Sequence, residues 1–207
     1  YEQTFEQALS NSCNCAFAQI AVMLGQDTLL DYVKRYGFLD KQELNGISAA
    51  AGSFPSDFVG DPELAWAGIG QSTDMVCPYA MLRFLCAVAN GGDLVEPSLI
   101  LSEDAPKSTP YMEPATADRL KQMMNFNVVD HYNGEENFPG LRLCAKTGTA
   151  ELGDGNSHAW FVGFLADDKH PYAFVTLIER GGYGLSTAGP IANQVLQLAG
   201  ENIEPEK

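Results

Sequence analysis

Hydrophobic and polar residues follow two different periods along the chain. In the first two thirds, apolar side chains recur every three or four residues, which is the spacing of one face of a helix. Stretches with this spacing cover residues 14–25, 27–36, 78–90 and 115–126. We therefore predict a helix in each stretch, a loop-rich segment between residues 40 and 70, and a short strand over residues 95–101.

From residue 141 the pattern changes to alternation and to continuous apolar runs, which are typical of β-strands. Three strands are predicted, over residues 141–151, 158–167 and 172–180. Short turns separate them, so antiparallel pairing is expected. An amphipathic helix over residues 190–199 is suited to cover one face of the sheet.

The predicted fold class is therefore α/β of the α+β kind. A mainly helical lobe (1–140) precedes a three-stranded antiparallel sheet with a C-terminal helix (141–207). Three strands make a thin sheet, and an apolar edge strand such as 172–180 invites aggregation when it is bare. We expect a strand from outside this stretch of chain to pair with that edge.

Composition and charge exclude several classes of binding partner. The chain has 207 residues and a formal net charge of −15 at pH 7, which argues against binding nucleic acid or an anionic membrane surface. The five cysteines and three histidines lack the spacing of a metal site, and we predict no disulfide framework. The opening residues are polar and helix-like and show neither a signal peptide nor a start signal. We therefore expect the chain to be part of a longer polypeptide.

The first predicted strand carries Lys146-Thr147-Gly148-Thr149. Glycine in a strand lets another backbone approach closely, and lysine supplies a positive charge that can help to move a proton. The threonine hydroxyls can donate to a carboxylate, and backbone N–H groups can stabilise an oxyanion. A lone Lys-Thr-Gly more often marks an exposed lysine in a β-hairpin. A second functional group is therefore needed before this motif indicates a catalytic site.

A second group stands at Ser12-Cys13-Asn14, at the head of the first predicted helix. A hydroxyl and an amide two residues apart could face a cleft, although either side chain could simply cap the helix. Taken alone, the cap is the simpler interpretation. The glycine-rich segment around Tyr183 follows the last strand and could border the same cleft.

Together and in this order, Ser-x-Asn and Lys-Thr-Gly resemble the second and third motifs of the penicillin-recognising serine enzymes. The flanks resemble class B penicillin-binding proteins over residues 5 to 200, through ALSNSCNCAFAQIAVMLG, SFPSDFVGDPELAWAGIGQ, CPYAMLRFLCAVANGG, LCAKTGTAEL and HAWFVGFLADD. Ala145, Ser72 and Cys77 depart from residues that are usual in that family, namely glycine, glycine, and threonine or serine.

The resemblance implies a transpeptidase fold and acyl transfer on the D-Ala-D-Ala stem peptides of peptidoglycan, with β-lactams as covalent mimics. It implies that Ser12 relays a proton, that Asn14 binds the substrate amide and that Lys146 supplies the electrostatic field. It also implies that 147–149 bind the substrate carboxylate, with the Thr149 N–H in the oxyanion hole. No cofactor or metal is implied.

The family's first motif, Ser-x-x-Lys, supplies the nucleophile, and no serine of this chain has a lysine three residues later. We expect that motif and two further strands to precede Tyr1 in a parent protein that is anchored outside the cytoplasmic membrane. The chain alone should then be inactive. Two alternatives stay open: a β-lactamase or β-lactam sensor of the same fold, and a non-catalytic module that binds peptidoglycan or a partner.

Overall fold

The computed structural model describes residues 2–71, 73–101 and 106–201. Ser72, one of the departures from the family pattern, lies outside them. The helices are α1 (Phe5–Ser10), α2 (Asn14–Leu24), α3 (Gln26–Arg35), α4 (Asp61–Ala67), α5 (Pro78–Ala89), α6 (Pro114–His131), α7 (Gly134–Asn137) and α8 (Gly189–Glu201). The strands are β1 (Gln42–Leu44), β2 (Ile47–Ala49), β3 (Asp93–Val95), β4 (Ser108–Pro110), β5 (Leu143–Glu151), β6 (Ser157–Leu165) and β7 (Ala173–Ile178).

The predicted helices are confirmed, with two changes at their ends. α3 begins at Gln26 and not after Asp27, because Gly25, with φ of 79°, already makes the turn between α2 and α3. α6 continues five residues past 126, to His131, because Asn127 and Val128 extend its buried face.

The loop prediction for residues 40–70 is wrong in part, since β1, β2 and α4 lie there. β1 and β2 are joined at Asn45-Gly46, where both residues have positive φ (48° and 85°). A two-residue turn with positive φ at both positions matches the right-handed twist of the strands on either side of it. Asn-Gly is the usual sequence of such a turn. The strand predicted over 95–101 is also wrong: β3 ends at Val95 and pairs with β4.

The three strands predicted after residue 141 are confirmed as one antiparallel sheet in the order β5-β6-β7. The register places Lys146 opposite Val162 and Gly148 opposite Trp160. Within the described part of the chain, no strand pairs with the outer edge of β5 or of β7. An outside strand on β7 therefore stays a prediction.

Helices cover both faces of this sheet. Leu143 and Ala145 point to one side and pack in a core with Ala192 and Leu196 of α8. Their neighbour Cys144 points to the other side, into a core formed with α5 and the first part of α6. β5 therefore runs along the sheet edge beside the helical lobe. None of the helices that the structure describes is both long and apolar enough to cross a bilayer.

Candidate active site

Ser12 lies in the turn between α1 and α2, in a left-handed conformation with φ of 49°. The N–H of Cys13 donates to the carbonyl of Ala8 at 2.9 Å, and the N–H of Ser12 donates to that of Leu9 at 3.1 Å. These two hydrogen bonds form a Schellman motif at the end of α1. The left-handed residue of that motif is usually glycine. A serine there is strained by about 1–2 kcal/mol, a type of strain that clusters at functional sites.

The interpretation of Ser12 or Asn14 as a helix cap is wrong. The N-cap of α2 is Cys13, and no side-chain hydrogen bond caps that helix. Asn14 is the first residue of α2 and is exposed, as is Ser12. The hydroxyl of Ser12 is therefore available for a partner elsewhere in the fold.

That partner is Lys146 on β5. The Lys146 Nζ donates to the Ser12 Oγ, which joins the two motifs across 134 residues of sequence. The same Nζ donates to the carbonyl oxygen of Thr147 at 2.9 Å. An ammonium that is held on a serine hydroxyl can lower the barrier to moving a proton through that hydroxyl.

The two threonines of β5 share one face of the strand, and Lys146 and Gly148 share the other, because side chains alternate. The Thr147 Oγ1 lies 2.8 Å from the Oη of Tyr132. The Thr149 Oγ1 accepts from the N–H of Gly184 at 3.4 Å, and its carbonyl accepts from the Gln71 Nε2 at 3.3 Å. The Thr149 side chain is exposed at the open edge of the sheet.

Two glycines allow the close packing around this strand. A Cβ on Gly148 would lie 3.2 Å from the Cβ of Trp160 on β6. A Cβ on Gly184 would lie 2.4 Å from the Trp160 carbonyl oxygen and 2.7 Å from that of Gly148. The segment after β7 therefore lies directly against β5, and Tyr183, which is 74% exposed, precedes this contact.

Sequence reasoning missed two contributors to the site, Gln71 and Tyr132, and one partly buried carboxyl that follows Gln71 along the chain, that of Asp74. Gln71 follows Gly70 in a stretch that carries part of the family resemblance, so a role near the site could have been suspected. Tyr132 gave no sequence signal, since it ends a helix 15 residues before Thr147. Asp74 lies in the same loop as Gln71; burial raises the pKa of its carboxyl to about 7, and its Oδ1 has no partner among the described residues.

Among the residues that the structure describes, no cluster of metal ligands lies at this site. Across residues 2–71, 73–101 and 106–201, no three His, Cys, Asp or Glu side chains are placed to hold a metal ion. The chemistry available is that of hydroxyls, an amide, one ammonium and backbone N–H groups. Groups of these types can bind a carboxylate, move a proton and stabilise an oxyanion.

Comparison with known proteins identifies the family. The family model described as penicillin binding protein transpeptidase domain matches residues 1–197. The chain is 27% identical over 217 residues to peptidoglycan D,D-transpeptidase PbpA of Mycobacterium tuberculosis H37Rv, covering 95% of this chain and 44% of that protein. It is 28% identical over 231 residues to stage V sporulation protein D of Bacillus subtilis, covering 99% and 35%.

Solved structures agree on the fold. The ceftriaxone acyl-enzyme of penicillin-binding protein A from M. tuberculosis superposes with a TM-score of 0.82 at 24% identity, over 95% of this chain and 48% of that one. The transpeptidase domain of penicillin-binding protein 3 from Burkholderia pseudomallei gives 0.79 at 23%, over 99% and 66%. The chain thus spans less than half the length of the curated relatives named above. It belongs to the penicillin-binding protein transpeptidase domain family, and its relatives are class B penicillin-binding proteins.

Proposed function

We propose that this chain forms the substrate-binding part of a peptidoglycan D,D-transpeptidase domain, whose nucleophile comes from a part of the parent protein outside these 207 residues. The hydrogen bond from Lys146 to Ser12 carries the proposal, because it brings the Ser-x-Asn and Lys-Thr-Gly motifs into one site. The absence of Ser-x-x-Lys from the sequence and the greater length of the relatives support the second half of the proposal.

The proposed reaction is acyl transfer. The serine of the parent attacks the carbonyl carbon of the D-Ala-D-Ala bond, and the oxyanion that forms is stabilised by the N–H of Thr149. The serine proton passes through the Ser12 hydroxyl, beside the Lys146 ammonium, to the nitrogen of the departing D-alanine. An amine of a second stem peptide then attacks the ester, its proton returns by the same route, and the serine is regenerated.

Binding of the substrate carboxylate falls to Thr147 and Thr149. Their side chains lie on one face of β5, two residues apart, at an edge that no described strand covers. The amide of Asn14, exposed at the start of α2, is proposed to bind the backbone of the stem peptide. A β-lactam carries a carboxylate of its own and would occupy the same contacts while it acylates the serine.

The same proposal sets location and partners. Peptidoglycan lies outside the cytoplasmic membrane, so we place the parent there, anchored by a segment outside this chain. The relative PbpA carries the name peptidoglycan D,D-transpeptidase, which supports the substrate class. The proposed reaction requires no nucleic acid or cofactor.

The test is the intact mass of two proteins after incubation with benzylpenicillin. The 207-residue chain should gain no covalent adduct, and the longer parent should gain one. An adduct on the chain itself would place the nucleophile within it, with Ser12 the first residue to replace. A parent without any adduct would support a non-catalytic module, and a parent that rapidly releases hydrolysed penicillin would support a β-lactamase.

A further inference from the structure

The outer edge of β5 is filled by side chains from α6 and from the residue that follows it. The Asn125 Nδ2 donates to the carbonyl of Leu143 at 3.0 Å, and the Asn127 Nδ2 donates to that of Ala145 at 2.7 Å. At Thr147, the next residue whose backbone faces this edge, the strand donates instead of accepting. The N–H of Thr147 donates to the Oη of Tyr132 at 2.9 Å. Tyr132 is therefore the last of three groups that satisfy this edge before the site opens at Thr149.

The tyrosine hydroxyl makes a second contact, 2.8 Å from the Oγ1 of Thr147. A phenol has one proton to donate, and this one already accepts from the Thr147 amide. Tyr132 is 2% exposed, and its hydroxyl makes no third hydrogen bond with the described residues. If Thr147 donated to Tyr132, the phenol proton would be buried without an acceptor, which is unfavourable.

The phenol therefore donates to the Oγ1 of Thr147. The proton of the threonine hydroxyl is then not used by Tyr132, and it points to whatever lies at the open edge of β5. A hydroxyl in this state is a hydrogen-bond donor, which suits an anionic group and not a cation or another donor.

The position of the phenol is fixed by its surroundings. Tyr132 ends α6, its carbonyl accepts from the Asn137 Nδ2 at 2.7 Å, and the next residue, Asn133, has φ of 53°. Its ring meets Phe161 of β6 edge-on with 6.1 Å between centroids, and Phe161 stacks on Phe138 at 5.4 Å. The hydroxyl is thus held by the core beneath the sheet and does not depend on a mobile side chain.

We propose that Tyr132 is a positioning residue for Thr147, which it fixes as a hydrogen-bond donor towards the carboxylate of the acyl donor or of a β-lactam. This inference rests on the proposed function, since it takes Thr147 as a carboxylate ligand. It predicts that loss of the phenol hydroxyl weakens recognition of the carboxylate and leaves recognition of the rest of the ligand intact.

The test uses the longer parent protein and two probes, benzylpenicillin and its uncharged methyl ester. Tyr132→Phe should slow acylation by the free acid about tenfold and leave the ester within about twofold. Tyr111→Phe is the matched control, because it also removes a partly buried tyrosine hydroxyl, and that hydroxyl donates to the carbonyl of Tyr36 and not to a residue of β5. It should change neither rate.

Thr147→Ala provides a second route that leaves the tyrosine and its packing in place. It should show the same preference for the ester, and Tyr132→Phe should have no further effect in that background, since both changes remove one interaction. If the wild-type parent is acylated, two results would overturn the inference and leave the proposed function intact. One is equal slowing of the reactions with both probes, and the other is additive effects of the two substitutions. A wild-type parent that is not acylated at all would instead overturn the proposed function, and this inference with it.

Discussion

Asn127, which is fully buried on α6, donates its amide to the carbonyl of Ala145 at 2.7 Å, one residue before the lysine of the site. Two positions earlier, the exposed Asn125 makes the same type of bond to the carbonyl of Leu143 at 3.0 Å. The edge strand is thus held by a pair of chemically identical contacts that differ in their access to water.

This pair allows a direct test of what holds β5 to the helical lobe. Asn127→Ala should lower the free energy of unfolding by about 2–4 kcal/mol, because the Ala145 carbonyl loses its partner where water cannot replace it. Asn125→Ala should cost less than about 1 kcal/mol, since Asn125 is exposed and a water molecule can take the place of its amide on the Leu143 carbonyl. Urea unfolding of both variants measures the difference, and equal losses would contradict this account of the edge.

The strained turn at Ser12 can be tested with two substitutions that both remove the hydroxyl. Ser12→Gly should be more stable than Ser12→Ala by about 1 kcal/mol, because glycine adopts positive φ without a clash of its Cβ. Thermal unfolding compares them. In the longer parent both variants should lose most penicillin acylation, which would separate the structural strain from the chemistry that it supports. A glycine variant no more stable than the alanine variant would show that the turn is not strained.

Close packing of the segment after β7 against β5 predicts a strong effect at Gly184. Gly184→Ala would bring a Cβ to 2.4 Å from the carbonyl oxygen of Trp160 on β6 and to 2.7 Å from that of Gly148 on β5, so the backbone of one of these strands or of this segment must move. We expect a loss of about 2 kcal/mol or more in stability and a large fall in acylation of the parent. Gly200→Ala on α8 is the control, because nothing lies within 4 Å of its added Cβ. A neutral Gly184 variant would show that the contact is looser than described.

Much of this architecture could be predicted from the sequence, because the signals were local. Alternation after residue 141 predicted the three strands. The meeting of Ser12 and Lys146 was implied only by the family resemblance that the two motifs carry. The contacts of Tyr132 and Asn127 could not be predicted, because they depend on how α6 lies along β5. The β1–β2 hairpin is a different case: Asn45-Gly46 was a readable turn signal, and the density of glycine and proline around it favoured a loop instead.

Asp74 predicts a pH dependence of stability with a definite sign. Burial raises the pKa of its carboxyl in the folded chain to about 7. In the unfolded chain an aspartate has a pKa of about 3.9, so the folded state binds an additional proton between these two values. Stability should therefore fall as pH rises from about 4 to about 7, and the ionised carboxylate should burden the folded state above that range. The side chain is only partly buried, so we discount the effect to about 1–2 kcal/mol.

Asp74→Asn removes this titration and keeps the size of the side chain. The variant should be more stable than the wild type at pH 8, and the difference should disappear below about pH 3, where the aspartate is protonated in both the folded and the unfolded chain. Thermal or urea unfolding of the two proteins across that range gives the difference curve. A gain that is the same at every pH would mean that the carboxyl is not the group that titrates, and that the amide stabilises the loop through a new hydrogen bond.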